Sequence, residues 1–70
     1  MEINVKRKSN EKLLSLLERF DKESLELFKD PPPTWQDEAQ WYADMMNDIA
    51  DELERRGVEV EIDWFRNWKL

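Results

Sequence analysis

The chain has 70 residues and contains neither cysteine nor histidine, which excludes disulfides, thiolate nucleophiles and the imidazole groups that most often act as general bases or bind zinc. A chain of this length forms a single domain, residues 1–70, whose core is small relative to its surface. Its 17 acidic and 11 basic residues give a net charge of −6, which favours a basic partner and disfavours direct contact with nucleic-acid phosphates.

The first residues carry no continuous apolar stretch of the kind found in signal peptides. No later stretch approaches the roughly 20 apolar residues that cross a bilayer. We therefore predict a protein that makes no membrane contact and resides in the cytoplasm, where reducing conditions suit a chain without cysteine. We also predict no catalytic residue, no metal site and no cofactor, because so short a chain rarely encloses the cavity that carboxylate chemistry needs.

The N-terminal part of the chain predicts a strand followed by a helix. Ile3 and Val5 alternate with polar residues, as in a short strand with one apolar face. Ser9 or Asn10 can cap a helix that ends before three consecutive prolines. The apolar positions of this helix recur at helical spacing and include Leu13, Leu16, Leu17, Phe20, Leu27 and Phe28. A break near Asp21 is an alternative, since Asp21 could cap a new helix.

A second helix is predicted to begin at Trp35. Thr34 and Asp37 have the spacing of a capping box, in which the Thr34 hydroxyl accepts a hydrogen bond from the Asp37 backbone N–H. Its apolar positions recur every three or four residues and include Tyr42, Met45, Met46, Ile49, Ala50 and Leu53. Gly57, the only glycine in the chain, follows this helix and is expected to adopt the left-handed conformation that closes a Schellman motif.

The residues after Gly57 predict a second strand. Val58, Val60 and Ile62 alternate with acidic residues, which is typical of a strand with one buried face. The resulting order predicts an α+β fold, β-α-α-β, in which an antiparallel helical hairpin packs on a small two-stranded antiparallel sheet. Two strands form a weak sheet, so helix packing must stabilise it or dimerisation must extend it.

The aromatic residues near the C-terminus predict a docking site. Tryptophan is enriched at interaction hot spots, a free strand edge can recruit another chain, and a small domain cannot readily bury four tryptophans. We predict a small acidic, non-catalytic protein-interaction module or inhibitor that binds a protein partner, a second copy of the chain being one alternative. The predicted docking residues are Trp64, Phe65, Trp68 and Leu70, with Trp35 and Trp41 adjoining.

Acidic residues are concentrated in residues 30–63, where eleven acidic and two basic residues give a net charge of −9. Four carboxylates of the second helix lie in a row at helical spacing, namely Asp44, Asp48, Asp51 and Glu52. The arginines at 55 and 56 follow four residues after the last two of these acids and are expected to pair with them. A straight helix does not surround Ca²⁺ with the roughly six to eight oxygens it requires, which favours a solvated face. The alternative function is an acidic nucleic-acid mimic that blocks a nucleic-acid-binding protein.

Overall fold

A computed structural model describes residues 4–68 and shows a hairpin of two helices. Helix α1 spans Asn10–Lys29 and helix α2 spans Trp35–Arg55. Short 3-10 turns, Val5–Arg7 and Trp64–Asn67, lie before α1 and near the end of the described chain. Neither helix in this part of the chain has the apolarity needed to cross a membrane.

The predicted α+β fold with a two-stranded sheet is wrong, because residues 4–68 contain no strand. Val5 begins a 3-10 turn, residues 58–63 have no regular secondary structure, and Ile3 lies outside the described residues. Two short strands form little stable sheet on their own. Here the helices pack against each other without one.

The guanidinium group of Arg56 binds backbone carbonyls of the N-terminal segment, residues 5–8. It donates hydrogen bonds to the carbonyl oxygens of Val5 at 3.0 Å, Lys6 at 3.1 Å and Lys8 at 2.7 Å. It also donates to the Asn10 side chain at 3.0 Å. A side chain at the end of α2 therefore holds the segment that was expected to pair as the first strand, through carbonyl acceptors of the kind that a ladder would use.

Both helices begin where the sequence predicts, but only α1 has a side-chain cap. The Ser9 hydroxyl accepts a hydrogen bond from the Lys12 N–H at 3.2 Å, which confirms Ser9 as the cap. The α1 helix continues through Asp21, so the alternative break there is wrong. The predicted capping box of α2 is also wrong: Thr34 forms no side-chain cap, and its φ of −99° and ψ of 17° differ from the extended conformation usual at that position.

The predicted Schellman motif at the end of α2 is confirmed. Gly57 has a φ of +83°, its N–H donates to Glu54 O at 3.0 Å, and the Val58 N–H donates to Leu53 O at 2.9 Å. This left-handed residue ends the helix without a flexible linker. The chain then continues as residues 58–68, which we call the C-terminal segment.

The C-terminal segment covers part of the hairpin and completes its core. Val58, Val60 and Ile62 are partly buried against the core, whereas the intervening acidic residues are exposed. The alternation therefore predicted which side chains are buried, although no strand forms. The central core residues are Leu13, Leu17, Phe20, Ala43, Met46, Ile49, Ala50, Leu53 and Phe65.

Two aromatic clusters as candidate binding sites

The aromatic side chains form two clusters. The Trp41 cluster consists of Phe20, Trp41 and Tyr42, with the Trp41 ring centroid 5.5 Å from that of Phe20 and 5.2 Å from that of Tyr42. The C-terminal cluster consists of Phe28, Trp35, Trp64 and Trp68. The structure therefore brings three of the predicted docking tryptophans together and leaves Trp41 in the other cluster.

Residues of the C-terminal segment are anchored to both helices. The indole Nε1 of Trp64 donates a hydrogen bond to Asp21 Oδ1 of α1 at 2.9 Å. Phe65, a predicted docking residue, is fully buried in the core, and its carbonyl accepts a hydrogen bond from Asn47 Nδ2 of α2 at 3.1 Å. These contacts give Trp64 and Phe65 a clear role in holding the segment on the hairpin.

Arg66 adds charged contacts to the same anchor. Its guanidinium lies 2.5 Å from Asp51 Oδ1 and 3.2 Å from Asn47 Oδ1, and it also pairs with Glu54. All three partners lie on α2, at successive turns of the helix. This role was not predicted, since the aspartate at 51 was expected to pair within its own helix.

An apolar groove lies beside the C-terminal cluster at the turn of the hairpin. Phe28, Pro31 and Trp35 line this groove, which has a volume of about 250 Å³. Trp68 is half-buried nearby, and its indole N–H has no hydrogen-bond acceptor among the described residues. Leu70, the remaining predicted docking residue, lies outside the described part of the chain.

The Trp41 cluster lies on another side of the hairpin. The C-terminal segment contacts α2 at Asn47, Asp51 and Glu54, whereas helical geometry places Trp41 and Met45 on a different side of α2. Trp41 is 41% exposed; within residues 4–68 the only other exposed large apolar side chain belongs to a leucine, also on a helix. The Trp41 ring is thus open to solvent while its inner edge packs on the core.

The pKa of the Tyr42 hydroxyl depends on burial and on charged side chains near this cluster. Its side chain is half-buried, and burial is the largest of the effects that raise the pKa of its hydroxyl above the ordinary value. The carboxylates of Glu23 and Glu38 raise this pKa further, and the nearby Arg19 partly opposes them. Two carboxylates and one guanidinium therefore lie close enough to Tyr42 to affect its hydroxyl, and Glu23 pairs with Arg19.

Four exposed carboxylates flank Trp41 on α2. Asp37 and Glu38 lie four and three residues before it, and Asp44 and Asp48 lie three and seven residues after it. In the described structure none of them forms an ion pair, although Asp44 accepts a hydrogen bond from Gln40 at 2.8 Å. The predicted acidic row missed the first two, which their spacing from Trp41 could have revealed.

The other two members of the predicted acidic row are neutralised within the molecule. Asp51 pairs with Arg66, and Glu52 is only 7% exposed and pairs with Arg55 and Arg56. The expected Glu52–Arg56 pair is confirmed at 2.7 Å, whereas the expected pair of Asp51 with Arg55 is wrong. Hydrogen bonding to Arg56 is the main cause that lowers the pKa of Glu52.

Comparisons of the chain with models of protein families, with curated proteins and with solved structures found no match. The described residues contain no group of three or more side chains placed to hold a metal ion. Function must therefore be inferred from the surfaces that the fold exposes. Of the two clusters, the one around Trp41 combines an open aromatic ring with unpaired charge.

Proposed function

We propose that the chain is a non-catalytic protein-binding module that docks on a basic surface of another protein. The docking site, called the Trp41 surface, consists of Trp41, Tyr42 and Met45 with the flanking carboxylates Asp37, Glu38, Asp44 and Asp48. The observation that carries this proposal is the 41% exposure of Trp41 amid four carboxylates that have no cationic partner in residues 4–68.

An exposed tryptophan surrounded by carboxylates suits arginine and lysine side chains. A guanidinium can stack on the indole face, an interaction worth about 0.5–2 kcal/mol depending on its desolvation. The carboxylates would attract a basic partner and accelerate its association. Edge-to-face packing of Trp41 on Phe20 and Tyr42 restricts the ring before binding, so little conformational entropy is lost when the partner docks.

The distribution of charge favours docking centred on Trp41 over imitation of a nucleic acid. A mimic needs regularly spaced free carboxylates, and internal ion pairs engage Asp51 and Glu52. The contacts of Trp64 and Phe65 with the helices likewise favour a structural role for the C-terminal segment over the docking role expected from its composition. The two remaining acids of that row, Asp44 and Asp48, belong to the Trp41 surface.

The proposal is tested by capturing partners from a lysate of the native host and measuring their affinities with purified components. We expect a basic partner that binds wild type and binds Trp41→Ala at least about thirtyfold more weakly, as for an interaction hot spot. The matched control is Leu25→Ala, which truncates the other large apolar side chain that is exposed within residues 4–68 (59% exposed). It should bind as wild type does.

Charge provides a second, independent test on the same partner. Asp44→Asn/Asp48→Asn should slow association and reduce its dependence on salt, because exposed carboxylates act mainly through steering. Circular dichroism would verify that each variant is folded. Equal affinities of wild type and Trp41→Ala, or an equal loss for Leu25→Ala, would contradict the proposal.

A further inference from the structure

A second groove runs between α1 and the C-terminal segment, away from the Trp41 surface. Leu14 and Leu17 of α1 and Val60 and Ile62 of the segment line it, and its volume is about 360 Å³. Three acidic side chains complete the lining: Glu18, Glu59 and Glu61. We call this site the acidic groove.

The carboxylates of the acidic groove are available to a ligand. Glu18, Glu59 and Glu61 are exposed, and none of them pairs with a cation in the part of the chain that the structure describes. The apolar side chains between them are only partly buried, apart from Leu17. A ligand that fits must therefore offer both positive charge and apolar side chains.

The backbone along the groove is also available. Residues 59–62 form no hydrogen bond through their N–H or carbonyl groups to any residue in 4–68. Their side chains alternate between exposed and half-buried positions, as in an extended chain, where successive side chains point in opposite directions. An extended backbone with free polar groups can hydrogen-bond to a second extended chain laid beside it.

We propose that the acidic groove binds an extended peptide segment of a partner protein in which lysine or arginine alternates with apolar residues. Side chains two residues apart in an extended chain share one face and lie about 7 Å apart. Such a peptide therefore matches the alternation of residues 59–62, with its cations at Glu59 and Glu61 and its apolar side chains over Leu14 and Leu17. Backbone hydrogen bonds to the segment set its register.

The chemistry of the groove disfavours other ligand classes. Nucleic acids and anionic membrane surfaces carry the same charge as the three glutamates and would be repelled. A strongly apolar ligand would leave those carboxylates partly desolvated without a partner, which is unfavourable. The acidic groove shares no residue with the Trp41 surface. This proposal is therefore separate from the proposed function, and the two sites can be tested separately.

The test uses a short synthetic peptide in which lysine and valine alternate, titrated into the isotopically labelled protein and followed by NMR. We expect chemical-shift changes centred on Leu14, Leu17 and residues 59–62, and few at Trp41. A peptide of the same composition with all its lysines at one end should bind several-fold more weakly, because its cations and apolar side chains cannot match the groove together.

Two variants with the same change in net charge separate specific binding from general attraction. Glu59→Gln/Glu61→Gln should weaken binding of the alternating peptide by about three- to tenfold at low salt, as for two surface ion pairs. Asp44→Asn/Asp48→Asn, on the Trp41 surface, should have little effect. Equal weakening by both variants, or shift changes spread over every acidic face, would overturn the proposal.

Backbone pairing is tested with the same peptide methylated on alternate backbone nitrogens, which removes donors from one edge. Methylation on the edge that faces residues 59–62 should abolish binding, and methylation on the other edge should not. If both methylated peptides bind as well as the parent, the inferred backbone pairing is overturned. Trp41→Ala should bind the parent peptide normally, so failure here and failure of the proposed function give different results.

Discussion

Tryptophan occurs in both the Trp41 surface and the C-terminal segment, but the surrounding contacts differ. Trp64 donates a hydrogen bond to Asp21, its neighbour Phe65 is fully buried, and Arg66 binds two acids of α2. Trp41 forms no side-chain hydrogen bond with the residues the structure describes and remains 41% exposed. An aromatic residue outside the two helices can thus belong to the core, whereas an aromatic residue within a helix can be open to solvent.

The largest loss of stability is expected when the buried aromatic ring of the C-terminal segment is removed. Phe65→Ala should lower the free energy of unfolding by about 3–5 kcal/mol, because it deletes a fully buried ring and leaves a cavity. Trp41→Ala should lower it by less than about 1.5 kcal/mol, since the ring is 41% exposed and its truncation removes mainly the contacts with Phe20 and Tyr42. Urea denaturation measures both losses, and similar values would contradict the different roles assigned to Phe65 and Trp41.

The next test removes the side chain that connects α2 to the N-terminal segment. Arg56→Ala should cost about 2–4 kcal/mol of unfolding free energy, because it releases several carbonyl acceptors and deprives the buried Glu52 carboxylate of a partner. Arg55→Ala is the matched control, since Arg55 pairs with the same glutamate but has a side chain 61% exposed. Its cost should stay below about 1 kcal/mol. Equal costs in thermal or urea unfolding would contradict the importance of Arg56.

A smaller effect is expected at Gly57, where the C-terminal segment begins. Gly57→Ala should cost about 1 kcal/mol, because its φ of +83° is unfavourable for a residue with a Cβ. Apart from Gly57 itself and its two chain neighbours, no atom of the described structure lies within 4 Å of the position a Cβ would occupy. The cost therefore comes from the local backbone conformation and not from a clash with a packed neighbour. Gly57→Asn should cost less than Gly57→Ala, since asparagine tolerates this conformation better. The reverse order in urea denaturation would refute this explanation.

The smallest expected effect is a change in how stability depends on pH. This effect distinguishes Glu52 from Asp48 within the predicted acidic row. The lowered pKa of Glu52 means that its charged form stabilises the folded state above the ordinary glutamate pKa of about 4.3. This stabilisation is lost as the pH falls below that value through the folded-state pKa. Wild type should therefore lose more stability on acidification than Glu52→Gln, measured by thermal unfolding across pH. Asp48→Asn, on the solvated side, should follow wild type.

Local signals in the sequence predicted both helices, the Ser9 cap and the turn at Gly57, because each depends on residues close in the chain. The sheet could not be ruled out from sequence, since Val58, Val60 and Ile62 give the same alternation in a paired strand and in an unpaired extended segment. In the structure, Arg56 donates hydrogen bonds to carbonyls of the expected first strand, about fifty residues away, and residues 4–68 contain no strand. Long-range contacts of this kind leave no local pattern.

The candidate sites were predicted only in part. Trp41 and Phe65 were both predicted as docking residues, but Trp41 is exposed whereas Phe65 is fully buried. The burial of Phe65 depends on how the C-terminal segment contacts both helices. The sequence also placed four acids in one row. The local pair of Glu52 with Arg56, which the spacing predicted, and the tertiary pair of Asp51 with Arg66, which it did not, divide that row in two. Residue spacing predicts which side chains share a helix face, and it does not predict which distant cation neutralises them.

The hydrogen bonds of Arg56 also affect the order in which parts of the protein fold during synthesis. Val5, Lys6 and Lys8 leave the ribosome 48 to 51 residues before the side chain that will bind their carbonyls, a delay of several seconds at about 5–20 residues per second. Until then the N-terminal turn has no anchor on α2. We expect its amides to become protected from hydrogen exchange only after α2 has been synthesised through Arg56 and has folded.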